Sequence, residues 1–519
     1  MRPGSILLLL SAFGCGGRSE ASTDAGGGTL RIPVINDPIL NPVIAPDIGS
    51  VMVNKVLFAG LVRPDEHLRP TPDLATSWTT SPDGRTWTFQ LRPGVTWHDG
   101  AAFGAVDVKF TFDQILDLAT GSRLHSDFAA VDGVDVVDSL TVRFRLKAPF
   151  APLLTLLGYN AGILPAHVLQ GTRLSDATRF NRAAPIGTGP FKVERVTAGA
   201  SVTLVRNPTY YGPAPAIARV VFKVVPDLNA QVAQLRAGEL DLVTLEPANL
   251  GSVRNAPGVR VLQVPVVQHW YVGFNVQLPM FASPLVRRAF VYAVNHEAIV
   301  KSVLMGYGDA PRGTIPVALG DWYDSTVAPV PYAPDSARLL LARAGWTAGP
   351  NGMLQDARGK PFAFELLVDK GNPTREQSAL AVQQDLKKVG IDVTLRTMEF
   401  AALVRDRVLP GTFEANLIWW TTPGDPDQYA YYATGQDNNN VRWSNATADS
   451  LLALGRATLD PDRRRAVYHA FQRLERDDPP VLVLFYPREI QAVSARLSGL
   501  PALGIRDALR YAERLRLDQ

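Results

Sequence analysis

Two aspartates, Asp425 and Asp427, flank a proline just beyond two adjacent tryptophans in the stretch LIWWTTPGDPDQYAYY at 417–432. A carboxylate pair ~5–9.5 Å apart can hydrolyse a glycosidic bond. The same Asp-Pro-Asp also suits a turn that starts a helix, because Pro fixes φ and Asp side chains bond nearby backbone amides. The turn is the reading favoured here. The indoles suit binding, since each offers a large apolar face and one N–H donor. On a strand Leu417, Trp419 and Thr421 would point one way and Ile418 and Trp420 the other, so only one tryptophan of the pair should face a cleft. Trp419, Trp420, Thr422 and Asp425 are the first candidate ligand contacts. QHWYVGFNV at 268–276 is a second candidate wall, in which Tyr271 and Asn275 would reach the ligand. Trp270 and Phe274 there serve equally as core, and His269 reads as an ordinary histidine. Tyr486, in LVLFYPRE, is the third and weakest candidate.

An enzyme needs a constellation that the chain does not present. It has no G-x-S-x-G elbow, no phosphate loop of the Walker type and no dinucleotide fingerprint. HEAIV at 296–300 lacks the second histidine of a zinc motif. Seven histidines and one cysteine leave little for transition-metal chemistry. GTGPF at 187–191 reads as a structural turn and not as a phosphate cradle. No catalytic residue, metal ligand or cofactor is therefore assigned. The net charge of +3 carries no mark of a nucleic-acid binder.

Cys15, the only cysteine, follows a charged start and the short apolar run Ile6 to Leu10. That order is the pattern of an export signal, and the run is shorter than the ~20 residues that span a bilayer. Gly14-Cys15 resembles the lipobox of bacterial lipoproteins, in which the signal, here 1–14, is removed and the cysteine acquires lipid. Ala12 and Phe13 depart from that pattern. Acyl chains on Cys15 would anchor the protein to a membrane. The Gly- and Ser-rich residues 15–28 read as a flexible tether.

The remaining chain exceeds the ~250–300 residues at which one core stops growing, so two or three domains are expected. Its front half is richer in strands. Trp87, Phe89 and Leu91 alternate with polar residues, as does 139–150. Val106 to Leu116 reads as a helix with Val106, Phe110 and Leu116 inward. From 271 onward helices separate strands. Pro284, Asn295 and Pro334 open helices, and Thr374 with Gln377 reads as a capping box. Ala379, Val382, Leu386 and Val389 then share one helix face. Asp460-Pro461 starts a late helix with Val467, Phe471 and Leu474 inward.

These landmarks resemble the extracellular solute-binding proteins of the peptide/nickel type. The run SPDGRTWTFQLRPGVTWHDG…AVDVKFTF supplies Ser81, Asp83 and Gly84, then Phe89, Leu91, Arg92 and Gly94, then Asp99, Gly100, Asp107 and Val108, in the order of that family. GTGPFKV, FNVQLPMFASPLVRRAFVYAVNHEAIV, YAPDSARLLLARAGW, LKKVGIDVTL and DPDQYAYY follow in order. The resemblance implies an α/β, periplasmic-binding-protein-like fold with two lobes and a hinge, in its large three-domain form. Lobe I would combine 29–45, 187–270 and 485–519, with 46–186 inserted in it. Lobe II would be 271–484. A peptide or peptide-like solute would be trapped between the lobes and delivered to a permease of an ABC importer, by a monomer exported to the periplasm or cell envelope. In peptide-binding relatives a strand at Trp419 pairs with the ligand backbone, and an Asp three residues later meets the ligand's α-amino group. Thr422 stands at that position, which argues against free-amine peptides in the usual pose. A sensor on the same fold is the alternative, and an exported hydrolase a remote one. Nickel uptake through a chelator also belongs to the family's range.

Overall fold

The computed structural model describes residues 27–518. The export signal expected at 1–14 and the lipidation expected at Cys15 lie outside the described residues. The opening strand Thr29–Val34 pairs in parallel with Arg219–Val224, and that sheet continues through Ser201–Arg206 to Phe191–Thr197. A second sheet takes Ala75–Thr80, Thr86–Leu91, Thr141–Leu146 and Val131–Asp138 in that spatial order. Trp87, Phe89 and Leu91 are all buried, as their alternation predicts. The Phe144 ring meets Phe89 edge-on at 5.3 Å and Phe112 at 4.7 Å. One hydrophobic cluster joins both sheets to the helix Ile48–Leu57 and to Leu509, Ala512 and Leu515 near the C-terminus. The first part of the chain and its end therefore fold as one body.

The helix Ala105–Leu116 forms, but its buried face differs from the expected one. Val106 is 59% exposed, and Ala105, Val108, Phe112 and Ile115 face inward. Asp107 sets this rotation. Its carboxylate accepts the amides of Gly104 and Ala166 and the indole N–H of Trp97. Burying a polar side chain is favourable only where it is this well bonded, and apolar spacing alone does not reveal such a case.

The GTGPF turn lies against the end of the helix Ile48–Leu57. A Cβ on Gly187 would stand 1.9 Å from the Leu57 carbonyl oxygen, and one on Gly189 2.5 Å from that of Val56. Close backbone approach, and not a left-handed φ, is what requires glycine here. Gly187→Ala is expected to cost about 1–3 kcal/mol, the usual range for overpacking. A thermal unfolding midpoint unchanged in this variant would contradict that close approach.

The second body is built on a sheet that runs through Gln268–Phe274, Ala415–Thr421, Ala363–Asp369 and Asp392–Met398. Its two faces bury different clusters. Val272, Phe274 and Leu417 face the helices Pro284–Ala293 and Pro373–Lys388, whereas Tyr271, Ile418, Tyr432, Trp443 and Tyr468 share the other side. Ala379, Val382, Leu386 and Val389 are buried together as expected. The helix cap there differs from the one expected: Asn372 accepts the amide of Arg375, and Pro373 takes the first helical position. Thr374 lies inside the first turn and so caps nothing. In the late helix Pro461–Asp477 Phe471 is buried, but the buried face also carries Arg464, Tyr468, Gln472 and Glu475, while Val467 is half-buried.

The strand Leu482–Ser494 belongs to both bodies. Its first residues pair with Gln268–Phe274, and the rest pairs with Val259–Pro265 and Leu242–Leu245. The chain thus crosses between the bodies near 265–268 and again near 486–487. Among the described residues no helix is long and apolar enough to cross a membrane.

Candidate functional site

A cavity of ≈ 300 Å³ lies beside the two crossings. Thr244, Glu246 and Arg488 line one side, and Gln268, Trp270, Thr374 and Thr421 line the other. The strand register accounts for this second wall. Gln268 is opposite Thr421, and Trp270 is opposite Trp419, so these four share one face of the sheet. They are also tied together: the Trp270 indole N–H donates to Gln268 Oε1 at 3.0 Å, and Gln268 Nε2 donates to Thr421 Oγ1 at 3.1 Å. The indole plane is thereby fixed before any ligand arrives.

Arg375 lies behind this wall. Its guanidinium is 3.9 Å from the Trp419 ring centre, 5.1 Å from Trp270 and 5.4 Å from Phe400. It is 7% exposed and pairs with Asp369, itself buried. Cation–π contacts contribute about 0.5–2 kcal/mol each, and the carboxylate supplies the charge balance that burial demands. Phe400 stacks on the outer side of Trp419 at 4.9 Å. Across the cavity, the Thr374 hydroxyl donates to Glu246 Oε2 at 3.5 Å, a bond between the two bodies. A second such bond runs from the amide of Ala151 to the carbonyl of Arg456 at 2.7 Å.

The residues singled out from sequence are brought together in part. Trp419 is on the cavity's face of the sheet, half-buried beneath Arg375, and Trp420 is on the other, 4.0 Å from the Tyr431 ring. In the neighbouring strand the expected order is reversed: Trp270 lines the cavity, and Tyr271 is buried with Ile418 on the opposite face. Asn275 spends its side-chain amide on the carbonyls of Gly411 and Phe413. The Tyr486 hydroxyl, 1% exposed as a residue, donates to Gly313 and accepts from the Arg312 amide. Thr422 is fully buried, with its amide and hydroxyl on the Val267 carbonyl. Asp425 is held by Arg464 through bonds of 2.8 and 2.5 Å and receives the Asp427 amide, while Asp427 pairs with Arg456. The two aspartates build the turn and bond to arginines. His269 is a core histidine: burial pushes it down to about 3.

Sequence reasoning missed Gln268, Thr421, Thr374 and Glu246. Only the first two had a signal: they sit two positions from tryptophans on the same strand faces. Glu246 and Thr374 are far apart in the chain and meet only because the bodies do.

A two-bodied protein with a lined gap at its crossings is the form of a solute binder, and comparison with known proteins bears on this directly. Residues 69–441 match the family model described as the middle region of bacterial extracellular solute-binding proteins, family 5. The chain belongs to that family. It is 30% identical to the oligopeptide-binding protein AppA of Bacillus subtilis over 515 residues, covering 95% of this chain and 94% of that one. It is 28% identical to the dipeptide-binding protein of Escherichia coli, covering 82% and 83% of the two chains. The solved structure of B. subtilis AppA with a nonapeptide superposes with a TM-score of 0.78 over 95% of this chain and 99% of that one, at 28% identity. NikZ of Campylobacter jejuni with Ni(L-His) superposes with a TM-score of 0.79 over 94% and 99%, at 25% identity. The fold is the expected α/β periplasmic-binding-protein architecture, and the protein is an extracellular substrate-binding protein. Its two bodies correspond to the lobes of that architecture.

Proposed function

We propose that this solute-binding protein captures a peptide in the cavity between its lobes and hands it to the permease of an ABC importer. The observation that carries the reading is a cavity whose walls belong to two separately cored bodies joined at two crossings. A ligand touching both walls adds contacts that only the closed form offers, and so shifts the population toward closure. The strand Ala415–Thr421 supports a peptide in particular. Toward Ala363–Asp369 its register stops after Asn416, so the residues beyond, up to Thr421, have a ladder partner on one side only. An extended ligand backbone can add to such an edge. Glu246, on the opposite wall, would take the ligand's ammonium group in place of Thr422, whose hydroxyl is already spent on Val267. The lobe boundaries proposed are those of the sequence reading moved by a few residues to the crossings near 265–268 and 486–487, with residues 46–186 inserted in lobe I. Anchoring through Cys15 and a monomeric state complete the proposal.

Trp270→Ala tests the site. It removes an indole face from the wall and is expected to weaken binding of an alanine peptide series, two to nine residues long, by roughly tenfold or more. That corresponds to about 1.5–3 kcal/mol of lost apolar burial. Calorimetric titration measures it. Equal affinities in the variant and the parent would overturn the assignment of this wall. Absence of any peptide binding, with stabilisation by a nickel–histidine chelate, would overturn the peptide class.

A further inference from the structure

The strands Val62–Pro64 and Pro70–Pro72 form a hairpin whose turn, residues 65–69, reaches the gap between the lobes. Glu66 and Leu68 line the inter-lobe cavity. Arg69 pairs with Asp321 of the other lobe at 3.8 Å, and Glu66 pairs with Arg514 at 2.6 Å. Backbone and one carboxylate build the turn. The Asp65 amide donates to the Arg69 carbonyl at 2.8 Å, and the Leu68 amide donates to the Asp65 carbonyl at 2.9 Å. Asp65 Oδ1 accepts the amides of His67 and Arg69, each at 2.8 Å. None of these bonds uses the Leu68 side chain.

Leu68 nevertheless has a φ of 62°. In that left-handed region a Cβ crowds the following carbonyl oxygen, and glycine or asparagine is the ordinary occupant. Among the described residues three non-glycine residues have positive φ, and Leu68 is the one that lines the inter-lobe cavity. Its side chain is half-buried and faces three ways. In its own lobe it packs on the cluster of Leu503, Ala508 and Tyr511. It also packs on the apolar cluster of the other lobe that holds Val267, Ile418 and Tyr486. A Cβ on Gly424, just beyond the paired tryptophans, would lie 3.6 Å from Leu68 Cβ. The third direction is the cavity. At ≈ 300 Å³ that cavity stands at the lower end of the ~300–1,000 Å³ usual for small-ligand sites. Space taken by a leucine there is space withheld from a ligand. Backbone strain clusters at ligand clamps, where the surroundings hold it in place.

We infer that Leu68 is a specificity-determining residue: its side chain takes up part of the inter-lobe cavity and limits the bulk of the ligand side chain lying against it. The inference rests on that cavity being the ligand site. It narrows the ligand class to peptides with a small residue at the position facing Leu68.

The test compares the parent with Leu68→Gly and Leu68→Ala by calorimetric titration of Ala-Ala-Ala, Phe-Ala-Ala, Ala-Phe-Ala and Ala-Ala-Phe. In the parent one of the three Phe peptides is expected to bind about tenfold or more weaker than Ala-Ala-Ala. In both variants that peptide should recover to at least the affinity of Ala-Ala-Ala, with the ratios at the other two positions as in the parent. No recovery in either variant would overturn the inference. Unfolding midpoints separate this role from that of a leucine needed by the core. Leu68→Gly is expected to hold the parent's midpoint within about 2 °C, because freedom at positive φ offsets the lost contacts. Leu68→Ala keeps the strained backbone without those contacts and should unfold at a lower temperature. A midpoint lower in Leu68→Gly than in Leu68→Ala would contradict the strain and make Leu68 a plain packing residue. Should all four peptides bind the parent alike, the peptide reading stands and the inference alone falls. Should none of them bind it, the peptide reading falls and takes the inference with it.

Discussion

Asp425→Ala is expected to lower the stability of the protein by about 3–5 kcal/mol, the usual cost of removing one partner from a buried ion pair. Arg464 would be left 4% exposed, with both of its bonds to the carboxylate gone. Its remaining bond, from Nε to the Gly455 carbonyl at 2.8 Å, offers no charge. The loss reaches further, because Asp425 also accepts the Asp427 amide and the Thr155 hydroxyl of the other lobe. The double variant Asp425→Leu with Arg464→Met is expected to recover much of the loss, since a buried pair replaced by apolar groups is often neutral. Denaturant midpoints of the three proteins measure this. Were Asp425 instead a ligand contact, its removal would abolish peptide binding at unchanged stability, and the structural assignment would fall.

The second large effect is a pH dependence carried by Glu475. This residue is 3% exposed, and burial raises its carboxyl from the ordinary 4.5 to about 7, against the lowering effect of Thr314. The carboxyl accepts the Thr314 hydroxyl at 2.6 Å and the Thr314 amide at 3.2 Å, and among the described residues no cation pairs with it. Gln428 holds Thr314 in place, donating its Nε2 to the Thr314 carbonyl at 3.0 Å. A folded-state pKa above the unfolded one favours the folded form at low pH. The contribution is therefore complete below about pH 4.5 and is lost as pH rises through about 7. It amounts to about 3 kcal/mol at ~1.4 kcal/mol per unit. Glu475→Gln keeps an acceptor at this place without titrating, so its stability should hold across that window while the parent's declines. Parallel slopes for the two proteins would refute the protonated glutamic acid.

Both predictions concern ionisable groups whose burial the sequence alone does not show. The late helix shows why. Its apolar positions Val467, Phe471 and Leu474 define a plausible inner face, yet the buried face runs through Arg464 and Glu475. Each is inside because a partner from another segment meets it, Asp425 in one case and Thr314 in the other. Spacing along one helix carries no information about such partners. The helix Ala105–Leu116 was misjudged in the same way, since Asp107 is turned inward by Trp97, Gly104 and Ala166. The cap at Asn372, by contrast, is local and still escaped notice, because Thr374 with Gln377 offered a rival pattern two residues later.

What the sequence determined by itself was the architecture and the family. Alternation at Trp87, Phe89 and Leu91, the helix faces from Ala379 to Val389, and the ordered turns depend on periodicity and on short-range backbone geometry, both of which are written into neighbouring residues. It also determined that only one of Trp419 and Trp420 shares the cavity's face, since strand alternation leaves no other choice. Tertiary structure decided which residues line the gap. Trp270 replaced Tyr271 because the face of a strand that meets a cleft depends on what packs behind it. Glu246 and Thr374 gained their positions from a contact between segments more than a hundred residues apart. Hydrophobic periodicity is a property of a segment, whereas charge compensation and cavity shape are properties of segments that meet only once the chain has folded.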